Sequence, residues 1–281
     1  MTISKNPVTG NYQLILIPKS VENFLGKIMY PVLCNSHGGT VSKTDRVFGH
    51  YVAMVEKVGS ILTEHSPRKK VPFEFKVVDS KDHNAWCLPG GKIAISLGLI
   101  LAMDREGATY GLNRHFTLEE KIASVLSHEM THATAYHAVR NAQFSLLLIL
   151  IIKVMESVLQ FFLGFVAGES LRVLSDRLIA IIAQGAISHR GRSYEFEADK
   201  YGMHLVYEAG KAKHCPQDAA LAHVWLQKFC VDHHNSRTGV WIVDRWRELW
   251  ASHPTPQGRC TANIHTWHAL TLPARKAAQG G

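Results

Sequence analysis

Two histidines four residues apart constrain the fold of this chain more than any other feature. His128 and His132 enclose Glu129 in the string His-Glu-Met-Thr-His. On an α-helix, residues four apart are rotated by only about 40° from each other, so both imidazoles reach one face. Glu129 then points about a quarter turn away, beside the space between the two rings.

The residues before and after this string predict a long helix. Thr117 and Glu120 form the capping-box pattern that starts many helices. No glycine or proline interrupts the following segment, so we expect the helix to continue to about Val139.

Two histidines on one helix face are a typical half of a zinc site. A zinc site that hydrolyses peptides needs three protein ligands and one open position for water. We assign Glu195 as the third ligand and Asp199, four residues later, as acceptor for the free ring nitrogen of a ligand histidine. Glu197 lies about 200° from Glu195 on a helix and should face elsewhere. Either half of the pattern alone would also fit a solvated polar surface.

Three separated stretches carry a family resemblance. The string His128–His132 is followed by Glu195–Gly202, Glu-Phe-Glu-Ala-Asp-Lys-Tyr-Gly. Asn84–Ile93 reads Asn-Ala-Trp-Cys-Leu-Pro-Gly-Gly-Lys-Ile, and Asn6–Gly10 precedes the apolar segment Leu14–Pro18. Together they resemble the zinc metallopeptidases that include the HtpX, BepA and CAAX proteases, and most of all their OMA-type mitochondrial inner-membrane branch.

The resemblance implies a zinc endopeptidase with one Zn²⁺ per chain. Zinc held by His128, His132 and Glu195 would lower the pKa of a bound water toward about 7. Glu129 would take the proton as this water attacks and pass it to the leaving amine. The candidates for a second oxyanion donor or a zinc-side residue, which the sequence does not rank, are Tyr194, His253 and Arg259.

We predict an α+β, mainly helical, zincin-like fold in one metallopeptidase domain, residues 1–281. Residues 71–140 would form a small sheet and the zinc helix, 141–190 a hydrophobic helical segment, and 191–281 the third-ligand helix and C-terminal helices. The predicted C-terminal helices include Pro216–Phe229 and Trp241–Trp250.

The predicted sheet contains strands at Phe73–Val78 and Lys92–Ser96, the second alternating polar and apolar residues as a half-buried strand does. Pro89–Gly91 predicts a sharp turn before it. The resemblance suggests that an edge of this sheet lies beside the zinc helix and binds an extended polypeptide as an added strand; a plain core hairpin is the alternative. The residues assigned to this edge strand are Gly91, Lys92, Ile93, Ala94 and Ile95.

The net charge of +8 suggests a partner of opposite charge. The basic residues are scattered and accompany no nucleic-acid motif, so we expect no nucleic acid. An anionic membrane surface explains both the charge and three apolar runs, Phe144–Ile152, Val158–Ala167 and Leu178–Ile187. These runs predict helices in or on a membrane, with a buried helical hairpin of a soluble protein as the alternative.

Five cysteines without Cys-x-x-Cys spacing predict unpaired thiols. No signal peptide or presequence is evident, and the resemblance implies the mitochondrial inner membrane, with another membrane-associated compartment as the alternative. Two functions remain open: an endopeptidase for membrane-associated or misfolded proteins, and a catalytically weak adaptor of the same fold that binds extended chains. The intact Glu129 favours the first. The sequence leaves the oligomeric state open.

Overall fold

The computed structural model of the chain describes residues 2–163, 191, 193–211, 216–235 and 256–279. The described part is mainly helical, as predicted, and contains two small sheets where one was predicted. Three predictions fall wholly outside the described residues: the apolar run Leu178–Ile187, the helix Trp241–Trp250 and His253. The apolar run Val158–Ala167 falls partly outside, at residues 164–167.

The N-terminal segment forms a hairpin and two helices. Strands β1 (Thr2–Lys5) and β2 (Tyr12–Ile15) pair antiparallel. Helix α1 (Lys19–Ser36) follows directly, and α2 (Gly49–His65) packs against the sheet that comes next.

The second sheet has three strands in the order β3-β5-β4. Strand β5 (Lys92–Ser96) runs parallel to β3 (Glu74–Val78) and antiparallel to β4 (Ala85–Leu88). Gly90 and Gly91 both have φ of +73°, a left-handed conformation that glycine adopts without steric cost, so the predicted sharp turn is present.

The prediction of a substrate-binding edge strand in the segment that forms β5 is wrong. Strand β5 is the central strand, with β3 on one side and β4 on the other, so both of its edges are paired. It is also buried on both faces, because α1 covers the face that the main core leaves free. The residues that this correction concerns are Gly91, Lys92, Ile93, Ala94 and Ile95.

The remaining described helices follow in chain order. They are α3 (Leu97–Arg105), α4 (Leu118–Thr134), α5 (His137–Leu163), α6 (residues 193–211), α7 (Pro216–Asn235) and α8 (Pro256–Gln279).

Helix α4 carries the paired histidines and starts as predicted. The Thr117 side chain accepts from the backbone N–H of Glu120, whose own side chain accepts from the backbone of Thr117. The helix ends at Thr134, so the prediction that it continues to about Val139 is wrong. The cause is Tyr136, whose φ of +62° is left-handed and breaks the helical path before α5 begins.

A buried stripe fixes the rotation of α4 about its axis. Ile122, Leu126 and Met130, four residues apart, are fully buried in the main core with the sheet, α2 and α7. Removing a buried side chain of this size typically costs about 2–5 kcal/mol, so the stripe holds the helix in one orientation. That orientation decides where the imidazoles of His128 and His132 point.

Candidate metal centre

Helices α4 and α6 bring His128, His132 and Glu195 together. The Nε2 atoms of the two histidines are 3.2 Å apart. The Glu195 carboxylate straddles them, with Oε2 3.3 Å from His128 Nε2 and Oε1 3.3 Å from His132 Nε2. Glu195 is 5% exposed, so a buried carboxylate faces two imidazole nitrogens.

This donor set fits zinc. With bonds of about 2.0–2.1 Å, ligand atoms at tetrahedral corners lie about 3.3–3.4 Å apart. The 3.2 Å between the two Nε2 atoms matches that spacing, and each Nε2 lies 3.3 Å from a different oxygen of Glu195. One ligand atom from each of the three residues therefore lies within 4.8 Å of the others. Two imidazole nitrogens and one carboxylate oxygen are also the ligands of many hydrolytic zinc sites, which keep a fourth position open.

The electrostatics of the cluster favour a cation. Burial opposes a charged His128, but hydrogen bonds to Asp199 and Glu195 outweigh it and raise its pKa to about 10. Burial also opposes a charged Glu195, yet the Arg259 guanidinium and His132 hold the pKa of this carboxyl well below its usual range. Glu195 is therefore ionised near neutral pH, which is the form that binds a metal.

Asp199 orients the ring of His128, in the position that the sequence predicted. Its Oδ1 lies 2.9 Å from His128 Nδ1, and the carboxylate also accepts from Gln227 Nε2 at 3.0 Å. Arg259 donates to both carboxylate oxygens, at 2.6 and 2.7 Å. A carboxylate that accepts from Nδ1 directs Nε2 of His128 at the cluster, and a bound metal ion would displace the proton from that nitrogen.

His132 has an equivalent support that sequence reasoning missed. Its Nδ1 lies 3.0 Å from Nδ1 of His137, whose Nε2 lies 3.1 Å from Oε2 of Glu197. The consistent tautomers have His132 donating to His137 and His137 donating to Glu197, so Nε2 of His132 also faces the cluster unprotonated. Glu197 faces away from Glu195, as predicted, but it reaches the centre through His137.

Two of the three candidates for an oxyanion donor or a zinc-side residue, Arg259 and Tyr194, lie in supporting positions. The Arg259 guanidinium is 2% exposed and contacts Glu195 as well as Asp199, so it lies behind the carboxylates. The ring of Tyr194 is buried and stacks on His137 with centroids 4.2 Å apart. Both positions fit residues that hold the cluster in place. The third candidate, His253, lies outside the described residues.

Gly202 allows α6 to approach α4 closely. A Cβ atom at this position would lie 2.9 Å from His223 Nε2 and 3.1 Å from the backbone nitrogen of His128. His223 itself is fully buried, 2.9 Å from the hydroxyl of Ser127. The glycine that ends the Glu195–Gly202 motif therefore sets the distance between the two ligand-bearing helices.

Glu129 is half-buried on the side of α4 that faces β4. Burial and the nearby Glu129 carboxylate raise the pKa of the Cys87 thiol on β4, which locates this carboxylate close to the strand. Within the described sheet, β4 pairs with β5 on one side only. The edge beside the metal centre is therefore β4, Ala85–Leu88.

Two side chains from the N-terminal part of the chain satisfy the last carbonyls of α4. Arg68 donates to the Ala133 carbonyl at 2.9 Å, forms a buried ion pair with Glu22 at 2.6 Å, and covers the Tyr136 ring. Asn6 donates to the next free carbonyl beyond the helix, that of Ala135, at 3.3 Å. Carbonyls at a helix end lack partners within the helix, so these contacts stabilise the end that carries His132.

Comparison with known proteins agrees with this geometry. The model of peptidase family M48 matches residues 52–266, which contain all three clustered side chains, Asp199 and Arg259. The chain belongs to peptidase family M48. The resemblance to this family is thereby confirmed, and the motifs at Asn84–Ile93, His128–His132 and Glu195–Gly202 lie within the matched residues.

Several curated proteins resemble this M48 chain. A putative beta-barrel assembly-enhancing protease of Vibrio cholerae is 29% identical over 168 residues, 59% of this chain and 31% of the relative. The mitochondrial metalloendopeptidase OMA1 of Arabidopsis thaliana is 28% identical over 144 residues, 50% of this chain and 23% of the relative. The OMA1 metalloendopeptidase of Bos taurus is 23% identical over 233 residues, 79% of this chain and 39% of the relative.

The M48 chain spans at most 39% of the length of these curated relatives. Among solved structures, the crystal structure of S. mikatae Ste24p matches with a TM-score of 0.44 and 19% sequence identity. That match covers 86% of this chain and 58% of the Ste24p chain.

Proposed function

We propose that this chain is a zinc-dependent endopeptidase that cleaves membrane-associated or misfolded proteins. The observation that carries the proposal is the convergence of His128, His132 and Glu195, whose ligand atoms lie within 4.8 Å of one another, in an M48 chain. The names of the curated relatives, two metalloendopeptidases and a protease, support the same reaction.

The three clustered residues would hold one Zn²⁺. When bound, zinc would lower the pKa of a coordinated water from about 15.7 to about 7 and polarise the scissile carbonyl. Glu129 follows His128 on the same helix, and its carboxylate accepts the proton that the attacking water loses. The same carboxylate then delivers that proton to the leaving amine. Asp199 and His137 keep the two imidazoles oriented throughout.

The substrate is proposed to bind as an extended strand along β4. This strand has one free edge within the described sheet, and it lies against α4 on the side of Glu129. Main-chain pairing accepts any extended sequence, which suits a protease that acts on unfolded segments. A peptide with N-methylated backbone amides keeps its side chains but cannot pair fully, so its kcat/KM should fall well below that of the unmodified peptide.

Membrane association is proposed for α5. Among the described residues, His137–Met155 is the stretch long and apolar enough to cross a bilayer, and almost none of it is buried. The net charge of +8 suits an anionic lipid surface. We propose the mitochondrial inner membrane as the location, since two of the relatives have mitochondrial names; another membrane-associated compartment is the alternative.

Zinc analysis and casein cleavage test the reaction. Wild type and Glu129→Gln should each bind one zinc per chain, and only wild type should cleave. Glu119→Gln, on the same helix but paired with Lys57 on the outside, is the matched control and should cleave normally. Equal cleavage by wild type and Glu129→Gln would remove Glu129 from the mechanism. Absence of cleavage by a zinc-loaded wild type would favour the adaptor.

A second pair of variants tests the ligands. Glu195→Gln should lose zinc, whereas Glu197→Gln should still reach one zinc per chain when zinc is saturating. The reverse result would move the third ligand.

A further inference from the structure

Helix α1 has its apolar face on the outside. The side chains that it buries lie four residues apart and are polar or small, except for one ring: Glu22, Gly26, Tyr30 and Cys34. The opposite face is exposed and consists of large apolar side chains: Val21, Phe24, Leu25, Ile28, Met29 and Val32. Phe24 is 61% and Val32 66% exposed, so this face has no cover from the described protein.

Cys34 and the ring of Tyr30 pack with Val78 and Ala94, and three of the four buried positions make specific contacts besides. Glu22 forms the buried ion pair with Arg68. Gly26 lets the helix touch the turn before β5, because a Cβ there would lie 2.0 Å from the Pro89 carbonyl oxygen. The Tyr30 hydroxyl donates to carbonyls of the sheet. Specific contacts therefore fix α1 in an orientation that a water-exposed helix would avoid, since such helices turn their apolar side inward.

The exposed charged side chains of the segment that contains α1 are all positive. Within residues 1–36 the only acidic side chain is Glu22, which is buried, whereas Lys5, Lys19 and Lys27 are all exposed. A surface that combines a large apolar patch with lysines alone matches a bilayer that carries anionic head groups.

The apolar surface continues from α1 toward α5. Strand β2 leads directly into α1, and Leu14 and Leu16 are also exposed. Gln143, near the start of α5, joins the two parts, because it accepts from the backbone of Leu16 and Ile17 and donates to the Leu14 carbonyl. The exposed face of α1 and the apolar helix α5 are thus connected through one short hydrogen-bonded strand.

We propose that α1 lies flat on an anionic bilayer, with its exposed apolar face among the upper acyl chains and Lys19 and Lys27 at the head groups. This inference rests on the proposed membrane association of α5 and extends it to a second, independent contact. The metal centre would then be held close to the membrane surface, because α1 contacts the sheet and Glu22 reaches Arg68 at the end of α4.

Vesicle flotation tests the electrostatic part. Purified chain is mixed with phosphatidylcholine vesicles, or with vesicles in which part of this lipid is replaced by phosphatidylglycerol. Lys19→Gln and Lys27→Gln should each weaken partitioning into the anionic vesicles about fivefold and leave partitioning into neutral vesicles nearly unchanged. Lys211→Gln, which removes an exposed lysine of α6, is the control and should have no effect.

Site-specific photocrosslinking identifies what covers the face. A benzophenone amino acid replaces Phe24 in one sample and Val47, 63% exposed in the loop before α2, in the control. Irradiation with vesicles should give a lipid adduct at position 24 and much less at position 47. Phe24→Ser combined with Ile28→Ser should lower vesicle binding about tenfold or more, whereas Val47→Ser should not.

The outcomes separate this inference from the proposed function. If the chain floats but position 24 yields no lipid adduct, or is crosslinked to the same chain or to a second copy, the inference about α1 is overturned and the association of α5 stands. If wild type floats with neither vesicle, both membrane contacts are overturned. Casein cleavage, measured in parallel without lipid, reports on the peptidase independently.

Discussion

The support behind His132 gives a sharp test of how the metal centre is built. Glu197→Gln keeps an acceptor for His137 Nε2 but removes the negative charge that makes the bond strong. Loss of an outer partner of a metal-bound histidine typically weakens metal binding 10–100-fold, or about 1.4–2.7 kcal/mol. We expect Glu197→Gln to weaken zinc binding about tenfold. Glu197→Ala, which removes the acceptor as well, should weaken it about a hundredfold.

The assay is competition for zinc with a chelating dye at fixed pH. Glu208→Gln is the matched control, because it lies on the same helix α6 and its carboxylate forms an ion pair with the exposed Lys211. The thermal unfolding midpoints of the metal-free variants should stay close to wild type. If the dissociation constants of Glu197→Ala and Glu208→Gln for zinc are equal, the chain from Glu197 through His137 does not orient His132.

Three further outcomes follow from contacts around the centre. Asp199→Asn should destabilise the fold by about 3–5 kcal/mol in urea unfolding, because it removes one of the two carboxylates that pair with the buried Arg259 guanidinium; a change below 1 kcal/mol would contradict this. Gly202→Ala should cost about 1–3 kcal/mol and lower zinc affinity, since its Cβ would press on His223; unchanged zinc affinity would mean that α6 adjusts freely. Leu126→Ala should cost about 2–5 kcal/mol in the same unfolding assay, whereas an exposed alanine substitution such as Val47→Ala should not.

The sequence predicted the parts of the centre that obey helical spacing. His128 with His132, and Glu195 with Asp199, each lie four residues apart, so their faces could be read directly. The capping box at Thr117 was equally local and is present. Such patterns need no knowledge of the tertiary structure.

The features that were missed depend on how separate elements pack. His137 contacts His132 because the chain turns at Tyr136 between two helices. Helical spacing could not predict this contact, since the two histidines do not lie on one continuous helix. Gln227 reaches Asp199 from α7, which the sequence presented as an ordinary packing helix. The edge prediction for the segment of β5 was wrong because pairing between distant segments sets the order of the strands. The periodicity of a sequence carries no information about that order.

The Arg68 guanidinium links the first helix of the chain to the end of the helix that carries His128 and His132. It joins Glu22, 46 residues earlier in the chain, to the Ala133 carbonyl, 65 residues later. A fragment without α1 would keep every residue of the histidine motif. It would lose the Glu22 carboxylate that pairs with Arg68, and this buried cation would lie unpaired by Glu22 at the last turn of α4. The geometry around His132 therefore depends on a contact between α1 and the end of α4, and not on the histidine motif alone.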